Sequence, residues 1–438
     1  MNEQTEPQQE PVDRKTGMSA NKKKKGVLRE LGLGLITGAA DDDPSAIGTY
    51  ASAGAKFGPS FLWLTPFMFP MMFTVVYLSS KLGQVAGKGL FDVIRTHYPK
   101  WILTVALIGV MIGNTIEAAA DLGGIASALH SFIPLDTKYI ALGISLLILA
   151  FMFLGSYRII KSIFRWLALT LLTYVVSAVL SKPDLREVLK GTFIPHVQFN
   201  KEFLSLVVAV IGTSLSAYLY SWQSNQEVEE EIQMGRKTVE QREGASVKEL
   251  KKSRKDVLYG MFFATVITYF IILSTSSTLY KSGRHEIASA TEAAEALRPL
   301  AGDAAGFLFA LGIVGVGFLA VPVMTTGAAY DLSQALGWKH SLHAKPREAK
   351  RFYSAIAVIT LIAAGMNFFG INPMKALVFA GIVQGFSTPP LMLLMMFITN
   401  NKAIMGERVN SRRLNIMGWI TTVAIFAASI ALVITWIV

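Results

Sequence analysis

Three consecutive carboxylates, Asp41-Asp42-Asp43, followed at once by Pro44, stand between two apolar stretches that are each too short to cross a bilayer. A spanning helix needs about 20 apolar residues. Neither Val27–Ala40 nor Ile47–Phe57 supplies them alone, but joined they do. The acids therefore fall at a break inside one spanning segment, near mid-membrane. Charge at that depth is costly, and it marks an ion or substrate site by default. A broken helix is tolerated there only where its freed backbone is buried in protein or lines a cavity.

The rest of the chain agrees with a membrane setting. Of 438 residues, 52% are hydrophobic and only 16% are charged, and the mean hydropathy is +0.45. That composition describes an all-α polytopic protein surrounded by lipid. The absence of cysteine excludes thiolate metal ligands and disulfides. The net charge of +11 does not point to nucleic acid, because the basic residues sit in the loops between apolar segments. Residues 1–26 are polar, carry Lys22-Lys23-Lys24-Lys25 and show no apolar run with a cleavage site. They read as a disordered cytoplasmic arm.

Eleven apolar segments follow, near 27–57, 59–80, 101–130, 138–155, 163–180, 203–226, 256–280, 303–333, 353–370, 374–399 and 414–437. With the N-terminus inside, 31 of the 41 Lys and Arg residues fall on the cytoplasmic side. The positive-inside rule then puts the C-terminus outside. Span 1 is broken at 41–46. Span 6 is irregular near 213–218, where Gly212-Thr213-Ser214-Leu215-Ser216-Ala217-Tyr218 replaces the usual Leu and Val. Each half thus opens on an interrupted helix: 27–180 holds spans 1–5, 203–399 holds spans 6–10 in the opposite sense, and 414–437 adds an eleventh. Paired interruptions are the sequence pointer to a transporter site at the midplane. A small-residue packing face is the plainer reading of span 6.

Glu117 and Asp121 are four residues apart in span 3 and share a helix face. They read either as a polar relay or as a structural pair bonded to broken-helix backbone. The acidic run Glu227–Glu231 reads as a solvated cytoplasmic mouth.

At these residues the chain resembles the NRAMP family of divalent-metal transporters. Gly34 to Asp43, Asp43-Pro44 and Gly54-Ala55-Lys56-Phe57-Gly58 keep the spacing of that family's first helix. Ala120-Asp121-Leu122 matches its third, and Lys402-Ala403-Ile404-Met405-Gly406-Glu407 its loop after the tenth. The resemblance implies a LeuT-like inverted repeat of five plus five helices with an eleventh added, working by alternating access in a prokaryotic cell membrane, with no enzyme activity, resident cofactor or obligate protein partner. The departures are specific. The family's Asp-Pro-Gly-Asn reads Asp43-Pro44-Ser45-Ala46, so its metal-binding Asn is Ala46. Its Met-Pro-His reads Ser216-Ala217-Tyr218. A helix 3 Glu is Gly124, and a helix 10 Gln aligns with Gly381. Asp43 and the Thr213 carbonyl remain of the ligand set. This pattern resembles the NRAMP-related magnesium-transporter branch.

The ligand chemistry points the same way. A thioether selects soft metals, whereas carboxylate, carbonyl and water suit Mg²⁺ and Mn²⁺. Mg²⁺ sheds water reluctantly and binds through one or two carboxylates. The expected metal site is Asp43, Ala46, Thr213 and Ser216, with Asp42, Ser45, Ala217, Tyr218 and Gly381 around it, holding a partly hydrated ion without proton coupling. Glu117 and Asp121 are the candidate relay. A proton-coupled Mn²⁺ or Fe²⁺ transporter is the nearest alternative. A Na⁺-coupled carrier of organic solutes on the same fold is a more distant one.

Overall fold

A computed structural model describes residues 33–154 and 171–437, and among them every regular element is helical. The arm expected at 1–26, the first residues of span 1 and the start of span 5 lie outside the described residues.

Span 1 forms two half-helices, α1 (Leu33–Asp41) and α2 (Pro44–Phe57). The cause of the break is local. Proline disfavours the helical region for the residue before it, and Asp43 is extended, at φ −68° and ψ 175°. Pro44 then occupies the first helical position, where its missing N–H is no loss. The Asp43 carboxylate caps the new helix by accepting the Ala46 N–H at 2.6 Å. Past Phe57, Gly58 adopts φ 58°, and a short turn leads into α3 (Leu64–Ala86), inclined 117° to the segment before it. Then come α4 (Leu90–His97), α5 (Lys100–His130), α6 (Thr137–Leu154) and α7 (Leu172–Leu180).

Span 6 is also two half-helices, α8 (Lys201–Ser214) and α9 (Ala217–Gln233), parted at Leu215-Ser216. The chain continues through α10 (Val247–Thr275), α11 (Ala305–Leu336), α12 (Lys350–Met366), α13 (Pro373–Asn400) and α14 (Arg412–Ile437). Among the described residues eight helical segments are long and apolar enough to cross a bilayer, and the bent pair at 44–86 would add a ninth.

The exposed side chains show which faces meet lipid. On α5, Trp101, Val105, Ile108 and Ile112 are exposed, at the three-to-four spacing of one helix face. The opposite face carries Asn114, Glu117 and Asp121, all fully buried. The half-helices occupy the interior: α1 lies along α10, and α2 lies against α8, α10 and α13. Small residues allow this closeness, as at other membrane helix crossings. A Cβ at Gly212 would strike the Gly381 carbonyl, and one at Gly381 would lie 2.8 Å from both Ala209 O and the Thr213 methyl.

The acidic run does not form a solvated mouth. Glu227 accepts hydrogen bonds from Ser80 Oγ (2.7 Å), Gln84 Nε2 (2.9 Å) and Gln223 Nε2 (2.9 Å). Glu229 is buried and accepts from Tyr330 and Ser341, and buried Glu231 pairs with Arg236 at 3.1 Å. The composition of the run suggested hydration. Gln223 and Arg236 are near in sequence, but the other partners come from α3, α11 and the loop after α11, distant in sequence. Gln223 extends this network to α1 by accepting the Thr37 hydroxyl at 2.6 Å. The Gly34 N–H donates to Asp256 Oδ2 at 2.8 Å, so α1 is held along its length.

Candidate ion site at the two helix breaks

The two breaks meet beside α5. Asp121 reaches α2, where its Oδ1 accepts both the Ser45 N–H (2.9 Å) and the Ser45 hydroxyl (2.6 Å). Asp43 and Asp121 therefore both sit on the N-terminal turn of α2, where unpaired amides and the helix dipole favour negative charge. One oxygen of each remains without a protein partner: Asp43 Oδ2 and Asp121 Oδ2.

Glu117, one turn earlier on α5, faces the other break. Its Oε1 lies 2.9 Å from Ser216 Oγ, and its Oε2 accepts from Gln384 Nε2 of α13 at 2.7 Å. Gln384 Oε1 in turn accepts the Ala217 N–H, the first of α9, at 3.0 Å. Ser216 does not cap α9 with its side chain, so Gln384 supplies the cap from a neighbouring helix. The Thr213 hydroxyl bonds back to Ala209 O (3.0 Å), a common use for a helical threonine. Its carbonyl lies 2.8 Å from Ser216 Oγ. Tyr50 and Ser214 join α2 to α8 through a 2.6 Å hydroxyl pair.

Before the first break, Asp42 Oδ1 lies 3.3 Å from the Thr268 hydroxyl of α10. Its Oδ2 and both oxygens of Asp41 have no protein partner. Asp41, Asp42, Asp43, Glu117 and Asp121 are all fully buried. Among the described residues none of them pairs with a Lys, Arg or His. Burying an ionised carboxylate without a partner costs several kcal/mol. Five buried carboxyl groups without a basic partner thus stand beside the two helix breaks. Among the described residues no three His, Asp or Glu side chains converge to hold one metal ion.

A sequence-family model described as "Natural resistance-associated macrophage protein-like" matches residues 34–435. The chain belongs to the Nramp family. Members of this family are membrane transporters, not enzymes, and the chain is an integral membrane protein. The divalent metal cation transporter MntH of Bacillus subtilis (strain 168) is 26% identical over 420 residues, covering 94% of this chain and 93% of the relative. Among solved structures, the manganese transporter of Eremococcus coleocola superposes with a TM-score of 0.69 at 17% identity, covering 96% of this chain and 88% of the other. Mhp1, a nucleobase-cation-symport-1 family transporter, superposes with a TM-score of 0.57 at 12% identity, covering 93% and 92%. At such identities the likeness is one of fold, and the fold is LeuT-like.

Within this Nramp fold the residues expected around the ion separate. Asp43, Ser45 and Asp121 come together on the α2 side, and Ser216, Ala217 and Glu117 on the α9 side. Ala46 contributes its N–H to Asp43 rather than a side-chain ligand. Tyr218 is fully buried with its hydroxyl unpartnered. Gly381 is at the α8–α13 crossing, where a Cβ would lie against the Thr213 methyl and the Ala209 carbonyl. The α13 residue that reaches the centre is Gln384, one turn on. Family alignment pointed to position 381, while the lone amide in an apolar segment was the signal for 384. Thr268 was likewise missed, since one of three scattered Thr residues in a long apolar helix carries no motif.

Proposed function

We propose that this chain carries divalent metal ions, Mg²⁺ and also Mn²⁺, across a prokaryotic cell membrane by alternating access. The ion travels partly hydrated and without proton coupling, as in the magnesium branch the sequence resembles. The N-terminus faces the cytoplasm and the C-terminus the outside, on the asymmetry of basic loops.

The observation that carries this reading is the oxygen-only lining of the paired breaks. Asp43 Oδ2 and Asp121 Oδ2 lack protein partners, and the α8–α9 break offers the Ser216 hydroxyl and the Thr213 carbonyl. No thioether or imidazole stands at positions 216–218. Such a set suits hard ions, and two carboxylates with water match the way Mg²⁺ is usually held. Asp43 is the ligand and Asp121 its partner across α2. Glu117, tied by Ser216 and Gln384, orients the α9 break. The complete burial of these residues fits an occluded state between the two open ones.

A proton-coupled Mn²⁺ carrier is the second reading. Two buried acids on one face of α5 with no basic partner favour it. Uptake of Mn²⁺ into proteoliposomes, with Mg²⁺ as competitor, separates the two. Our reading predicts that Mg²⁺ inhibits Mn²⁺ uptake competitively and is itself accumulated. Mn²⁺ uptake indifferent to excess Mg²⁺ would favour the second reading.

A further inference from the structure

Between α7 and α8 the chain forms a nine-residue helix, Leu185–Phe193, opened by Asp184, whose carboxylate accepts the Arg186 N–H at 2.8 Å. At 1.5 Å per residue it is about 13 Å long, too short to cross a bilayer. Only residues 181–184 separate it from α7, so it lies where a membrane-spanning segment ends.

Its faces have different surroundings. Gly191 is buried against the turn that follows α2: a Cβ there would lie 2.0 Å from the Pro59 carbonyl oxygen. Thr192, on the same side, pairs with the Tyr269 hydroxyl of α10 at 2.8 Å. With successive side chains turned by about 100°, Leu185, Leu189 and Phe193 form the next face. All three project from the protein, at 73%, 58% and 75% exposure. Arg186 and Lys190, also exposed, fall beyond them on the same open half of the helix.

A row of large apolar side chains that no part of the protein covers points to an apolar partner. The neighbouring chain says which one. In α7, just before the helix, Val176, Val179 and Leu180 are exposed on a segment that lies in lipid. Just after it, Ile194, Val197 and Phe199 are exposed too. A helix with an apolar face bordered by Lys and Arg is the pattern of segments that lie in the bilayer interface. The stems of the basic side chains follow the apolar surface, and their charged heads reach the headgroups.

We propose that Leu185–Phe193 is an interfacial anchor. Leu185, Leu189 and Phe193 enter the acyl region of the adjoining leaflet, and Arg186 and Lys190 meet the phosphates of anionic phospholipids. Gly191 and Thr192 hold the turn after α2 and the helix α10 on the other face. The anchor therefore ties the end of the second half-helix of span 1 to the bilayer surface, whichever divalent ion is carried. Movement of that half-helix must drag the anchor through the leaflet or part the contact between Gly191 and Pro59.

The chain contains no cysteine, so a single-cysteine variant carries a nitroxide label at one chosen position. Full-length protein labelled in Leu189→Cys, Phe193→Cys or Glu187→Cys is reconstituted in vesicles of phosphatidylglycerol and phosphatidylethanolamine. Collision with oxygen, which concentrates in hydrocarbon, is compared with collision with a water-soluble nickel chelate. Val105→Cys, on the lipid face of α5, and Lys237→Cys, in an exposed loop, set the two limits. Labels at 189 and 193 should match the one at 105, with an oxygen-to-nickel ratio severalfold above that at 237. The label at 187 should match the one at 237. Arg186→Glu with Lys190→Glu should lower the ratio at 189 severalfold in these vesicles, and far less in phosphatidylcholine, which has no net charge. Positions 189 and 193 are separate exposed sites, so one serves if the other variant does not fold. A ratio at both equal to that at 237 would overturn the proposal, since the helix would lie in water. So would low access to both reagents, which means that protein, such as a second copy, covers the row. An equal effect of the charge reversal in both kinds of vesicle would overturn the pairing of Arg186 and Lys190 with anionic headgroups.

Discussion

The two helix breaks do the same job by different means. Between α1 and α2 the break is written into the backbone: Pro44 excludes a continuous helix, and Asp43 caps the new one within three residues. Between α8 and α9 there is no proline, and Ser216 makes no side-chain cap. There the interruption is held from outside, by Gln384 of α13 on the Ala217 N–H and by Glu117 of α5 beside Ser216. The first break is a local property of its sequence. The second takes its cap from α13 and its serine's partner from α5, whereas the first caps itself and adds the Asp121–Ser45 bonds to α5.

The largest expected effect comes from the first break. Asp43→Asn should reduce divalent uptake to background while leaving the fold intact, because asparagine caps a helix as well as aspartate does. Asp43→Ala loses the cap as well, at about 1 kcal/mol, so its melting temperature should drop where that of Asp43→Asn does not. Transport at the wild-type rate in either variant would remove Asp43 from the site.

The next effect joins the breaks. Ala46→Asn with Ser216→Met should move preference toward Cd²⁺ and Mn²⁺ and away from Mg²⁺, since it adds an oxygen and a soft sulfur and leaves less room for a hydrated ion. Parallel Mg²⁺ and Cd²⁺ uptake measures it. Neighbouring ligands need not act additively, so the double variant should be compared with both single ones. An unchanged preference would take positions 46 and 216 off the ion path.

Gln384→Ala removes the outside support of the α8–α9 break. It leaves the Ala217 N–H and one Glu117 oxygen unpaired in a buried site, which costs about 1–3 kcal/mol. Thermal unfolding should reveal that loss, and uptake should slow with it. Gln384→Glu keeps an acceptor for the amide but sets a second carboxylate against Glu117, so it should not restore uptake. If Gln384→Ala melts and transports like the wild type, the α8–α9 break is as self-sufficient as the first.

The smallest effect is expected at Pro44→Ala. The Asp43 cap survives this change, so uptake should fall only severalfold, and less than in Gln384→Ala. A greater loss at Pro44 would mean that proline geometry, rather than capping, maintains the first break.

What could be read from the sequence follows the same division. The first break, the shared face of Glu117 and Asp121, and the family were legible, because each rests on residues close together in the chain. The polar partners of the second break were not. Gln384 and Ser216 are distant in sequence, and an alignment that places the functional position at Gly381 hides a side chain one turn further on. The acidic run misled for the same reason. Its composition suggests hydration, and only the packing of α3 and α11 supplies Ser80, Gln84 and Tyr330 to bury it. Asp121 is bonded to the Ser45 amide of the broken helix, and its second oxygen has no protein partner.

The most direct test of the central claim is Mn²⁺ and Mg²⁺ uptake into proteoliposomes carrying an internal pH indicator, with and without an imposed membrane potential. Both ions should enter, an inside-negative potential should accelerate them, and internal pH should stay constant while Asp43→Asn vesicles remain empty. Acidification in fixed proportion to the metal taken up would contradict it, and would make Glu117 and Asp121 a proton path.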